Sequence, residues 1–202
     1  RERFNFLFWK TVGYLPAGTT NDYARNLALP RGMEEMAALA AGGEPRGVDL
    51  GKLGEEYFIY VAAFGLFADT SYSTPQELKN LLGHLAYVLK GASELASHKR
   101  YRLKVDYDGG QLEGEYLYGM VSNTISVGGV IGLPAGEVQL DDGRLEALLV
   151  EAPKNIAQLN AVVRALARQE YTEESGVKVL HSTRFKFTGE EKVSFTVDGE
   201  YG

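Results

Sequence analysis

The strongest constraint on this chain is the alternation between residues 101 and 120. Tyr101, Leu103, Val105 and Tyr107 take every second position, Asp108-Gly109-Gly110 interrupts, and Leu112, Tyr116, Tyr118 and Met120 resume the apolar series. A period of two puts these side chains on one face of a strand, and an Asp-Gly turn reverses the chain, so the stretch reads as an antiparallel hairpin. Residues 137–140 and 145–149 read as a second hairpin around Asp141-Asp142-Gly143. Residues 177–187 and 192–197 read as a last strand pair, and residues 56–64 as a nearly continuous apolar strand. Twenty-four glycines and twelve tyrosines fit a chain of turns and strands.

Helical spacing is confined to a few places. The longest run covers residues 76–97, where Leu78, Leu81, Leu82, Leu85, Val88, Leu89, Ala92 and Leu95 share one face. Pro75 suits its first turn, with Thr74 or Ser73 as cap. Residues 155–168 form a second amphipathic segment through Ile156, Leu159, Val162, Val163 and Leu166. The first forty residues differ in texture. Residues 4–9 and 12–15 have the look of buried strand, a Pro16-Ala17-Gly18 turn follows, and a short helix is expected from Tyr23, stopped by Pro30. Residues 33–41 would form another, ended by Gly42-Gly43. That is the strand–turn–helix order of an α/β unit. The whole is read as α+β: a β-rich sandwich lobe with two amphipathic helices, plus the remnant of an N-terminal α/β lobe.

Composition narrows the class. With 45% hydrophobic and 24% charged residues the chain can build a core, which excludes a disordered tail. No run reaches the ~18 apolar residues of a spanning helix, and Arg1-Glu2-Arg3 leads into too short an apolar run for a secretory signal. The absence of cysteine excludes disulfides and thiolate metal sites and is consistent with a cytoplasmic setting. A net charge of −6 argues against general nucleic-acid binding. There is no internal repeat or low-complexity segment, and no Gly-x-Ser-x-Gly elbow, Walker loop or His-Glu-x-x-His helix.

Three segments could carry chemistry. Gly18-Thr19-Thr20-Asn21-Asp22 lies where a strand turns into a helix; exposed N–H groups and threonine hydroxyls there would suit a phosphate, while Thr, Asn and Asp equally suit a plain helix cap. Asp141-Asp142-Gly143 is either a hairpin turn or a Mg²⁺ site built from one carboxylate and backbone carbonyls. Val197-Asp198-Gly199-Glu200, if extended, places two carboxylates on one face, suiting a general base; the other reading is a solvated Asp-Gly turn. His84, His98 and His181 lack ligand spacing and read as structural. Ser122-Asn123-Thr124 and Gly128-Gly129 say only "loop", and Lys178, Arg184 and Lys186 read as a solvated strand face.

In this order the segments resemble the diacylglycerol kinase catalytic family of lipid kinases, which includes sphingosine and ceramide kinases. Residues 13–25, Gly-Tyr-Leu-Pro-Ala-Gly-Thr-Thr-Asn-Asp-Tyr-Ala-Arg, are similar to its "PxGTxNDfar" segment. Residues 57–69 are similar to its "F-x-N-x-x-x-x-G-x-D-A" strand, residues 123–143 to its "N-x-x-x-x-G-G-x-x-x-x-P-x-A-x-x-x-D-G" stretch, and residues 197–200 to its "DGE". The flanks of the first block look closer to the bacterial diacylglycerol kinases than to the sphingosine kinases.

The resemblance implies a two-lobed enzyme with ATP as phosphate donor, Mg²⁺ as cofactor and a lipid alcohol at the inner membrane surface as acceptor, acting in phospholipid metabolism from the cytoplasm. It implies nucleotide contacts from Gly18, Thr19, Thr20, Asn21 and Asp22. It implies Mg²⁺ held by Asp142 with the backbone carbonyls of Gln139 and Arg144. It gives Glu200, or Asp198 beside it, the activation of the lipid hydroxyl. Residues 1–40 would be the remnant of the ATP-binding lobe and residues 41–202 the β-sandwich lobe. The family's "GGDGT" loop is missing from the 202 residues, and Tyr60 stands where the family often has Asn. The chain is therefore read as a kinase fragment, not expected to turn over by itself, whose uncovered strand edge would suit a homodimer. The alternatives are a non-catalytic β-sandwich that binds a lipid or protein partner, and a relative of NAD kinase.

Overall fold

A computed structural model describes residues 11–17, 21–66, 99–127, 131–133 and 138–198 and, through their backbone, residues 200 and 201. The alternating stretch forms its hairpin: β4 (Tyr101–Tyr107) pairs antiparallel with the first half of β5 (Gly110–Ser122) across the Asp108-Gly109 turn. The second half of β5 lies between β3 (Val61–Gly65) and β8 (Leu145–Glu151), and β9 (Val177–Ser182) extends the sheet beyond β8. Further strands are β10 (Lys186–Gly189) on β4, and β11 (Thr196–Val197) and β12 (Glu200–Tyr201) beyond β3. These eight strands make one sheet in which every pairing among the described residues is antiparallel. Two small ribbons flank it, β1 (Gly51–Leu53) with β2 (Glu56–Phe58), and β6 (Ser126–Val127) with β7 (Ile131–Gly132).

Residues 116–122 of β5 are all buried, because both faces of the sheet are covered. On one face Val61, Ala63, Tyr118, Met120, Leu148 and Val150 meet Leu159, Val162, Ala165 and Leu166 of α3 (Ile156–Arg168). The helix starts where Asn155 Oδ1 accepts the Gln158 N–H at 2.9 Å, and ends at Gln169 in the left-handed region. On the other face Phe64 is ringed by Tyr101, Phe187 and Phe195 in edge contacts at 5.1–5.8 Å. A register shift between Tyr116 and Tyr118 sends these neighbours two apart into opposite clusters. Gly65, at φ 87°, passes so close to β5 that a Cβ would lie 2.2 Å from the Leu117 carbonyl oxygen.

The first part of the chain is less regular. Helix α1 (Asp22–Asn26) and helix α2 (Met33–Gly42, capped by Gly43) form where expected. Residues 12–15 make no strand, and Val12, Tyr14 and Leu15 are exposed, since no described strand offers them a ladder. The expected strand over 56–64 is two strands broken at Ile59-Tyr60, and the expected strand over 137–140 is a loop where described. The expected pair of 177–187 with 192–197 does not form either: β9 pairs with β8, β10 with β4, and residues 192–195 are irregular. The expected helix over 76–97, with His84, lies outside the described residues, as do residues 4–9 and His98.

Candidate active site

Ile59 and Tyr60 break the strand because their amides are taken by a residue far along the chain. The Asp198 carboxylate accepts N–H bonds from Ile59 at 3.0 Å, Tyr60 at 3.0 Å and Val61 at 2.9 Å, while the Asp198 N–H donates to the Val61 carbonyl at 2.8 Å. Asp198 sits at φ 49°, and Val197 pairs with Glu200, so Asp198 lies in the turn of the β11–β12 hairpin. The segment is thus a turn, not the extended run that would put Asp198 and Glu200 on one face. Three backbone amides already occupy the Asp198 oxygens, which makes it an anchor of the β2–β3 junction. The backbone of Glu200 lies in β12; its side chain is outside the described residues.

The phosphate-type segment lies beside this hairpin. Gly18, Thr19 and Thr20 are outside the described residues, whereas Asn21 and Asp22 are placed. Asn21 has φ 49° and its side chain does not cap α1, so the plain capping reading is not realised by that residue. Asp22 is 5% exposed; its Oδ2 accepts the Tyr60 hydroxyl at 3.1 Å, and Arg25 stands 3.8 Å from Oδ1. Asn26 Nδ2 donates to the Thr124 hydroxyl, tying the end of α1 to the buried end of β5. Burial, with the charges of Tyr14 and Asp198 added, raises the Tyr23 phenol, which places the Asp198 carboxylate within electrostatic reach of α1.

The third segment is a loop held by its surroundings. The Asp49 N–H donates to the Leu140 carbonyl at 2.6 Å, and the Gly143 N–H donates to Asp49 Oδ2 at 2.7 Å. The buried Asn123 amide nitrogen donates to the carbonyls of Asp49 at 2.9 Å and Leu140 at 3.1 Å. The Leu140 carbonyl is therefore occupied from the side, which is why residues 138–140 do not join a hairpin ladder. Asp142, exposed, accepts the Arg144 N–H on Oδ1 at 2.9 Å. Gln139 and Arg144 flank it, also exposed. Behind the loop Glu146 is 1% exposed, its carboxyl pushed up to about 8 by burial and by the charges of Asp142 and Asp49. Its Oε2 has no hydrogen-bond partner among the described residues, and His181 Nδ1 lies 3.5 Å from Oε1.

Sequence reasoning missed four of these residues. Glu146 had a usable signal, a lone acid inside the apolar run 145–150. Tyr60 was visible only as a departure from a motif, Asn123 only as a loop residue, and Asp49 not at all.

The antiparallel sheet with its covering helix and the loop-borne acids defines a β-rich domain with oxygen-bearing side chains gathered at the strand ends. Comparison with known proteins agrees: residues 62–202 match the YegS C-terminal NAD kinase beta sandwich-like domain, and residues 7–53 the diacylglycerol kinase catalytic domain. The chain belongs to the diacylglycerol kinase-like family. It is 35% identical over 193 residues to the diacylglycerol kinase of Bacillus subtilis (strain 168), covering 95% of this chain and 63% of that one. It is 33% identical over 191 residues to that of Staphylococcus aureus (strain NCTC 8325 / PS 47), covering 95% and 60%. A Bacillus anthracis str. Sterne crystal structure described as a diacylglycerol kinase superposes with TM-score 0.65 at 27% identity, covering 92% of this chain and 60% of that one. The chain thus spans roughly three fifths of the length of these relatives.

Proposed function

We propose that this chain is the larger part of a lipid kinase, in which residues 1–40 end an ATP-binding lobe and residues 41–202 form the lobe facing the lipid. The observation that carries the reading is convergence: Tyr60 donates its hydroxyl to Asp22 and its N–H to Asp198, so the nucleotide-type segment and the acidic hairpin are built onto the same residue. In the reaction the lipid hydroxyl oxygen attacks the γ-phosphorus of ATP. The new P–O bond forms as the β–γ bridging P–O bond breaks, ADP leaves, and the hydroxyl proton passes to Glu200. Such transfers depend on positioning and charge neutralisation, and a positioned base contributes on the order of 10²–10⁴ in rate. Asp198 shapes the turn that presents Glu200. Asn21 and Asp22, with Gly18, Thr19 and Thr20, contact the nucleotide.

The residues of the Asp142 loop fit a hard cation. The loop is exposed and offers oxygen donors, and the carboxylates of Asp142 and Asp49 supply negative charge beside it. Asp142 with the carbonyls of Gln139 and Arg144 would hold Mg²⁺, which supplies charge neutralisation and ordered water to the cleft. Among the described residues no helix is long and apolar enough to cross a membrane. Contact with the inner membrane face from the cytoplasm would then be local and transient, and a homodimer would form through a strand edge. The acceptor is diacylglycerol or a similar lipid alcohol.

The test is phosphate transfer from labelled ATP by the full-length natural protein, with Mg²⁺, to a panel of lipid alcohols in micelles. Label on diacylglycerol or a close analogue supports the reading. A folded full-length protein that labels none of them reduces the resemblance to a shared fold. The 202-residue chain alone, lacking the "GGDGT" loop, is expected to transfer nothing.

A further inference from the structure

Tyr60 hydrogen-bonds two of the three candidate segments directly and is linked to the root of the third through Asn123. Its hydroxyl donates to Asp22 Oδ2 at 3.1 Å, on the first turn of α1. Its backbone N–H donates to Asp198 Oδ1 at 3.0 Å, in the hairpin that carries Glu200. Its carbonyl accepts the Asn123 N–H at 3.3 Å, and the Asn123 side chain in turn holds Asp49 and Leu140 at the root of the Asp142 loop. The ring packs against the α3-side core, so the hydroxyl is carried by a partly buried stem with little freedom to swing.

We infer that Tyr60 is a positioning residue: its hydroxyl ties the nucleotide-type segment at Asp22 to the acidic hairpin at Asp198-Gly199-Glu200, fixing the distance between phosphate donor and base. The inference rests on the kinase reading for its catalytic consequence, but the mechanical tie stands apart from it. Asp22 sits 38 residues before Tyr60 and Asp198 138 residues after it, so no local backbone constraint sets this spacing. Side-chain and turn contacts must do so. The Asp198 contacts are to backbone amides and survive any substitution at position 60, whereas the contact to Asp22 depends on the phenol oxygen alone. Removing that oxygen therefore separates the two halves of the tie without removing the ring.

The experiment uses the full-length natural protein with Tyr60→Phe, Asp22→Ala and the double variant. Steady-state transfer to the lipid alcohol is measured together with hydrogen exchange of the peptides covering residues 21–27 and 58–62. Misplacement of reacting groups on the ångström scale lowers rate steeply. Tyr60→Phe should lower kcat about tenfold with the lipid KM within about twofold and the thermal midpoint nearly unchanged. The double variant should be no slower than the slower single, because both changes cut the same link. Exchange in the 21–27 peptide should rise in Tyr60→Phe. Multiplying losses in the double variant, or an unchanged kcat in Tyr60→Phe, would overturn the inference. If the wild type transfers phosphate to no lipid, the kinase reading fails and the tie is judged by exchange: unchanged protection at 21–27 in Tyr60→Phe overturns it, and raised exchange upholds it.

Discussion

At the scale of single residues, the decisive groups are carboxylates whose tasks differ by what they touch. Asp198 accepts three backbone amides at a left-handed turn position. Its replacement by Ala should destabilise the protein by about 1.5–3 kcal/mol, the net worth of a charge-assisted hydrogen bond at an exposed carboxylate. Urea denaturation checks this, and an unchanged midpoint would contradict the anchoring role. Asp108 gives a pH dependence. The N–H of Thr183, donated to Asp108 Oδ2 at 2.7 Å, with further hydrogen bonds from Thr183 and Ser182, holds the Asp108 carboxyl below its ordinary value. A depressed carboxyl pKa means the folded state binds its proton later than the unfolded state as pH falls. The stabilisation is therefore present above the ordinary value of 3.8 and is lost as pH drops below it. Wild type should exceed Asp108→Asn in thermal midpoint at pH 6, and that margin should shrink progressively as pH falls below 3.8; parallel curves would contradict the assignment.

At the scale of elements, α3 is held by one apolar stripe, since Leu159, Val162, Ala165 and Leu166 are its buried residues. Leu166 is 2% exposed, and Leu166→Ala should cost about 2–5 kcal/mol in unfolding free energy, read from denaturant midpoints. Elements of this kind were legible in the sequence because their cause is local. The 3.6-residue period of 155–168, the glycines after Met33, and the alternation around Asp108-Gly109 all act within a few residues. The errors share the opposite cause. Residues 56–64 read as one strand because nothing nearby reveals that Asp198 takes the amides of Ile59 and Tyr60. Residues 138–140 read as strand because the partners of the Leu140 carbonyl, Asp49 and Asn123, lie 91 and 17 residues away (140 − 49 and 140 − 123). Val12, Tyr14 and Leu15 are apolar enough for a strand, yet they lie exposed in an irregular segment.

At the scale of the molecule, the sheet serves as a frame that brings distant segments to one end. Residues 21–26, 59–61, 123–124, 140–144 and 196–198 come together through backbone groups and the side chains of Asp22, Asn26, Asp49, Tyr60, Asn123, Thr124 and Asp198. The acids proposed to act were legible from motif resemblance; their scaffolding was not, because hydrogen-bond partners over such separations leave no local pattern. The central claim is that this scaffold presents Glu200 as the base of a lipid kinase. The most direct measurement compares wild type and Glu200→Ala of the full-length natural protein in transfer of labelled phosphate from ATP to diacylglycerol, with thermal unfolding alongside. The account predicts transfer by wild type, a loss of about 10²–10⁴-fold in the variant and an unchanged melting midpoint. Full activity in Glu200→Ala would contradict it.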